Sequence, residues 1–93
     1  MAARERGVYA ISVAAEMVSM QVQNLRVYER RGLLEPDRTA GGTRLYSRAD
    51  LARLHRIREL LAEGLNIAGI ARVLALESEV ARLRAECQRL RAR

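Results

Sequence analysis

The sequence predicts a mainly α-helical protein with one small β-hairpin, in which a winged helix-turn-helix domain leads into a C-terminal coiled-coil helix. Three observations carry this. The segments "SVAAEMV" and "VQNLRVYERRG" flank the short turn "SMQ", the pattern of two helices joined by a tight turn. The stretch "LLEPDRTAGGTRLYS" follows, with Pro36 unsuited to a helix interior and two glycines suited to a hairpin tip. Finally, Val73, Leu76, Val80, Leu83, Cys87 and Leu90 recur at spacings of 3, 4, 3, 4 and 3, which is an a/d heptad seam.

Each element has its own local signal. Residues 1–7 are polar and are expected to be disordered. "VYAI" (8–11) is β-prone and could pair with another strand. Ser12 reads as the N-cap of the first helix. In the second helix Val22, Leu25 and Tyr28 fall three apart on one face, and Gly32 ends it. Gly41 and Gly42 mark the wing tip, and "TRLY" is the returning strand. Ser47 caps a third helix, with Asp50 in its first turn and Leu51, Leu54, Ile57 and Leu61 as its buried stripe. Gly64 stops that helix and Asn66 caps a fourth, whose apolar residues are Ile67, Ile70, Val73 and Leu74. The domain boundaries expected are a winged domain over 8–74 and a dimerisation helix over 75–93, the seam starting near Val73. A helix with so narrow an apolar stripe needs a partner helix.

Composition limits the chemistry. With 93 residues the chain has room for one small domain and an extra element, and without Phe or Trp its core must be aliphatic. Seventeen basic residues, all Arg, face 11 acidic ones, for a net charge of +6. The lack of Lys fits a codon bias, but the charge favours a polyanionic partner. The single cysteine, Cys87, allows no internal disulfide and no Cys/His set has zinc spacing. A cytoplasmic protein without metal or cofactor is expected. No apolar run is long enough to span a membrane, and nothing resembles a signal peptide. His55 has no second ligand nearby, and no nucleophile-plus-base pair, P-loop or dinucleotide fingerprint is present, so no enzymatic activity is expected.

The polar residues of the second helix suit double-stranded DNA. Gln and Asn can pair with adenine in the major groove, and Arg with guanine. Gln21, Gln23, Asn24 and Arg26 lie in the N-terminal part of that helix, the part that reaches base edges in such motifs. Tyr28 and Arg30 are better placed for phosphates. A solvated helix face would have the same composition. Residues 21–48 hold six arginines against Glu29, Glu35 and Asp37, a local charge of +3. Arg38, Arg44 and Arg48 bracket the glycines, so a basic hairpin could grip flanking phosphates or the minor groove. Alone, the same loop would read as a surface turn.

The segments "NLRVYERRGLLEP" and "RTAGGTRLYSRADLARLHRIRELLAEGLNIAGIARVL", with "VYAISVAAEMV" before them, resemble the MerR family of bacterial transcription regulators over residues 8–74. "ISVAAEMV", "YERRGLLEPDRTAGG" and "EGLNIAGIARVL" are most similar to its HspR-type heat-shock repressors. The resemblance implies DNA contacts at Arg26 and Tyr28, and wing contacts at Arg44 and Tyr46 that face the DNA backbone. Ser12 completes the candidate DNA-binding set. The resemblance further implies an antiparallel coiled-coil homodimer through Val73, Leu76, Val80, Leu83, Cys87 and Leu90, a pseudo-palindromic operator, and a DnaK chaperone as co-repressor. Flanking charges such as Glu79, Arg84, Glu86 and Arg91 permit either strand direction. Where HspR-like chains read "HPQTLR", this one reads "QVQNLR", so its operator is expected to differ. Many members sense metals or drugs in a domain after the dimer helix; with one cysteine, in the seam, such sensing is not expected. The other readings are an architectural DNA-bending protein of excisionase type and a coiled-coil protein-interaction module.

Overall fold

The computed structural model describes residues 6–92. In chain order they form β1 (Tyr9–Ala10), α1 (Ile11–Met17), α2 (Val22–Arg30), β2 (Asp37–Arg38), β3 (Arg44–Tyr46), α3 (Arg48–Ala62) and α4 (Ile67–Arg91). The described residues divide into two compact units, one up to Glu59 and one from Leu60 onward. No described helix is long and apolar enough to cross a membrane.

In the first unit the expected hairpin is part of a three-stranded antiparallel sheet, ordered β1-β3-β2. Tyr9 pairs with Tyr46 and Ala10 with Leu45, while Arg38 pairs with Arg44 on the other side of β3. The β-prone "VYAI" thus supplies a third strand, shortened to two residues. Its approach is fixed further upstream. The Val8 N–H donates to the Tyr46 carbonyl at 2.9 Å, and the Gly7 N–H donates to Asp37 Oδ2 at 2.7 Å. Gly7 passes so close to β3 that a Cβ there would lie 2.2 Å from the Leu45 carbonyl oxygen. Only glycine allows that approach. Residues 1–5 of the segment expected to be disordered lie outside the described residues, but Gly7 is held in place by the sheet.

The strand runs directly into α1, and this displaces the expected cap. Ala10 is the N-cap residue, and no side chain among the described residues caps the helix. Ser12 is the second helical residue, exposed, and not an N-cap. The turn "SMQ" then closes α1 with paired bonds. The Ser19 N–H donates to Glu16 O at 3.2 Å and the Met20 N–H to Ala15 O at 2.9 Å. This is a Schellman ending, with Ser19 at φ +55° where glycine is usual. A left-handed residue with a Cβ costs about 1–2 kcal/mol. Arg58 Nη1 reaches back from α3 to the carbonyl of Val18, the C-cap residue of α1, at 2.9 Å and offsets part of that cost. The angle between α1 and α2 is set here. α2 ends the same way at Gly32, φ +78°, with the Leu33 N–H on Tyr28 O at 2.8 Å.

α1 packs on α2 and against β1 and β3. Val18, Leu25, Tyr46 and Leu54 are fully buried in this unit, alongside Ala14, Ala15, Tyr28, Leu33 and Leu34. α3 begins with a reciprocal cap: the Asp50 N–H donates to Ser47 Oγ at 3.0 Å, as expected of Ser47, and the Ser47 N–H donates to Asp50 Oδ2 at 2.9 Å, which makes Asp50 the second half of a capping box as well as a first-turn acid. Its buried stripe is Leu51, Leu54, Ile57 and Leu60. Leu61 was expected in that stripe but is 38% exposed. The spacing of three simply continues to Leu60, whose carbonyl also accepts the Leu65 N–H at 3.1 Å as the chain turns at Gly64.

The second unit holds the end of α3, the Gly64 turn and α4. Asn66 Oδ1 accepts the Gly69 N–H at 2.8 Å and starts α4. Ile70 and Leu74 are buried. The helix continues unbroken to Arg91, so the 74/75 boundary read from sequence falls inside a continuous helix. Beyond Leu74 its apolar residues are bare: Leu76 is 62% exposed and Leu90 54%, with Val80, Leu83 and Cys87 also exposed.

Candidate nucleic-acid interface

α2 buries one face and offers the other. Val22, Leu25 and Tyr28 point inward. On the opposite side Gln23, Arg26 and Arg30 recur at spacings of three and four and are all exposed, so they form one outward stripe. Gln21 occupies the N-cap position with extended backbone, and Asn24 lies to one side of the stripe. Arg26, Arg30, Arg31 and Arg48 are exposed and have no side-chain partner among the described residues. Of the residues expected from sequence to meet DNA on this helix, Gln23, Arg26 and Arg30 share one surface, Gln21 and Asn24 flank it, and Tyr28 is corrected to a core residue because it lies on the buried face.

The wing tip spans Thr39–Thr43. The Thr39 N–H donates to Thr43 O and the Gly42 N–H to Thr39 O, both at 2.9 Å. The Thr43 N–H donates to Thr39 Oγ1 at 3.1 Å. Gly42 sits at φ +88°, whereas Gly41 does not enter the left-handed region. The tip is a three-residue loop closed by one left-handed glycine. Of the two glycines, only Gly42 has its conformation dictated by the turn.

One carboxylate joins helix and wing. Glu29, on the side of α2 facing the sheet, accepts through Oε1 from Arg44 Nε and through Oε2 from Arg38 Nη2, the latter at 2.6 Å. Arg38 Nη1 also donates to the Gly42 carbonyl at 2.9 Å. Burial pushes the Glu29 carboxyl up, but the hydrogen bonds and charges of Arg44 and Arg38 outweigh it and hold it below the usual range. It is therefore ionised at neutral pH, and each bond in the clasp is charge-assisted. Sequence reading missed this role of Glu29. Its partners lie 9 and 15 residues away, beyond any helical spacing. The available signal was an acid standing alone among the arginines of α2.

The aromatic candidates fall differently. Tyr46 is fully buried and its hydroxyl has no hydrogen-bond partner among the described residues. Tyr28 is 4% exposed. Burial raises the pKa of both phenols. The expectation that Tyr46 faces the DNA backbone is thus corrected: on β3 it shares a face with Arg44, and that face turns inward. Arg44 itself is 29% exposed at the side chain and paired with Glu29. Other arginines counted in the net charge serve the fold, such as Arg53, whose Nε donates to the Leu33 carbonyl at 2.5 Å. Among the described residues no three His, Cys, Asp or Glu side chains are placed to hold a metal.

An unsatisfied buried hydroxyl is costly. Tyr46→Phe is expected to stabilise the chain by about 1 kcal/mol, which raises the melting temperature by roughly 4–8 °C. Thermal unfolding followed by circular dichroism measures this. A lower melting temperature would show that the hydroxyl is satisfied in solution.

Comparison with known proteins agrees with this geometry. Residues 9–77 match the MerR HTH family regulatory protein family. A Streptomyces coelicolor protein assigned as heat shock protein HspR is 48% identical over 86 residues, which is 91% of this chain and 57% of that protein. The chain thus spans little more than half the length of that relative. The N-terminal part of MtaN, the Bacillus subtilis multidrug transporter activator, superposes with a TM-score of 0.69 at 31% identity, over 89% of this chain and 88% of that one. The regulator PbrR691 of Ralstonia metallidurans, solved with lead(II), gives a TM-score of 0.70 at 30% identity, over 91% of this chain and 79% of that one. The chain belongs to the MerR family of helix-turn-helix regulatory proteins.

Proposed function

We propose that this chain is a homodimeric, sequence-specific repressor of transcription that works in the cytoplasm and binds a pseudo-palindromic operator in double-stranded DNA. The observation that carries the reading is the exposed stripe of Gln23, Arg26 and Arg30 on α2, held beside an arginine-bearing wing by Glu29. Such a stripe can enter the major groove, with Gln23 reading a base edge and the arginines meeting guanine or phosphate. Gln21 and Asn24 flank the stripe and are the secondary base contacts. Arg44 is the wing's phosphate contact.

The second unit supplies the partner surface. Leu76, Val80, Leu83 and Leu90 are exposed along α4 with Cys87 and the half-buried Val73. A second copy of the helix covers them, which places two α2 stripes on two half-sites. The family likeness favours antiparallel pairing. Centred between Val80 and Leu83, that pairing separates the two Cys87 residues by roughly 16 Å along the helix axis. The HspR likeness favours a DnaK-type chaperone as co-repressor, whose addition then tightens operator binding, while the departure to "QVQNLR" favours an operator of different sequence.

Selection from random double-stranded DNA with the purified chain tests the reading. A sharp motif with dyad symmetry is expected. Gln23→Ala is expected to relax preference at one base pair in each half-site by roughly 1–3 kcal/mol. Binding without a motif would favour an architectural role, and no retained DNA would favour a protein-interaction module. Oxidation of the wild-type dimer is expected to leave Cys87 unlinked. Efficient disulfide joining of two chains would indicate parallel helices.

A further inference from the structure

The three residues of the clasp use their hydrogen-bonding atoms differently. Arg38 is occupied at both ends, with Nη2 on Glu29 and Nη1 on the Gly42 carbonyl. It braces the wing tip against α2. Among the described residues Arg44 is held by Nε alone. Its Nη1 and Nη2, with four N–H groups, have no acceptor among the described residues, and the side chain keeps 29% exposure. A guanidinium gripped along its Nε edge can still present its terminal nitrogens to a second oxyanion, in the forked geometry that suits phosphate.

We infer that Glu29 is a positioning residue for DNA binding: it holds Arg44 by the Nε edge so that the free Nη1 and Nη2 donors meet one backbone phosphate. This rests on the DNA-binding reading above. A phosphate arriving at Arg44 need not displace Glu29, because the two oxyanions use different edges of one guanidinium. The wing arginine is thereby fixed before DNA arrives, instead of being ordered by it. Glu29 is an acid in a DNA-facing region, so charge alone would make its removal strengthen binding. Positioning predicts the opposite sign.

The test measures affinity for a random-sequence DNA duplex across a salt series, for the full chain and four variants. Arg44→Ala is expected to weaken binding and to lower the slope of log affinity against log salt by about 1. Glu29→Ala is expected to weaken binding with the same loss of slope, despite the gain of one positive charge. In the double variant, Glu29→Ala is expected to cause no further loss. Arg44→Lys separates positioning from a purely structural bond. Its ammonium can keep the ion pair but lacks the planar fork by which one cation offers separate, fixed edges to Glu29 and to a phosphate. Its melting temperature is expected to stay near wild type while its DNA affinity drops to that of Arg44→Ala.

Tighter binding by Glu29→Ala, a further loss from it in the Arg44→Ala background, or wild-type affinity in Arg44→Lys would each overturn the inference. Failure of the wild-type chain to bind any duplex at low salt would overturn the DNA-binding reading itself, and this inference with it.

Discussion

The Glu29 carboxylate joins elements that the chain otherwise presents separately. α2 supplies the acid, β2 supplies Arg38 and β3 supplies Arg44. Because Arg38 also holds the Gly42 carbonyl, the same acid fixes the tip of the wing. A two-stranded ribbon of this size is marginal by itself. Here it is held on one edge by β1 and, through its arginines, by α2. The outward stripe of α2 and the wing therefore form one rigid surface. A groove-reading helix needs that rigidity, because base contacts tolerate little misplacement while phosphate contacts set the register.

Much of this fold was legible in the sequence, and the legible parts are those governed by local chemistry. Ser47 with Asp50, Asn66 with Gly69, and the left-handed Gly32 and Gly64 each act within five residues along the chain. The inward face of α2 follows from helical spacing alone. The errors have a different origin. Ser12 looked like a cap because the residue type is right, but pairing of Tyr9–Ala10 with β3 let the helix start at Ile11. Tyr46 was expected at the DNA because the family resemblance implies a wing contact there, yet its position on β3 turns it into the core. Glu29 was passed over because its partners are distant in sequence. Each case depends on the sheet register, which no short window contains.

The second unit shows the limit of what one chain explains. Its seam of Leu76, Val80, Leu83 and Leu90 is regular in sequence and exposed in the monomer. Burying a leucine is worth roughly 1.5–3 kcal/mol, so a bare stripe of this kind is a strong reason for association. The surrounding charges, among them the Arg82 pairs with Glu79 and Glu86, lie within one helix and do not specify a direction. Membership in the MerR family rests on residues 9–77, which include the start of this seam.

The central claim is that α2 and the wing together form the DNA-facing surface. Titrating a DNA duplex into the isotope-labelled chain, and following its backbone amide resonances, tests this most directly. The largest shifts are predicted at residues 21–31 and 38–44, moving in concert at the same DNA concentrations, with residues 82–91 of α4 little affected. Shifts centred on α4, or shifts in α2 that leave the wing untouched, would contradict it.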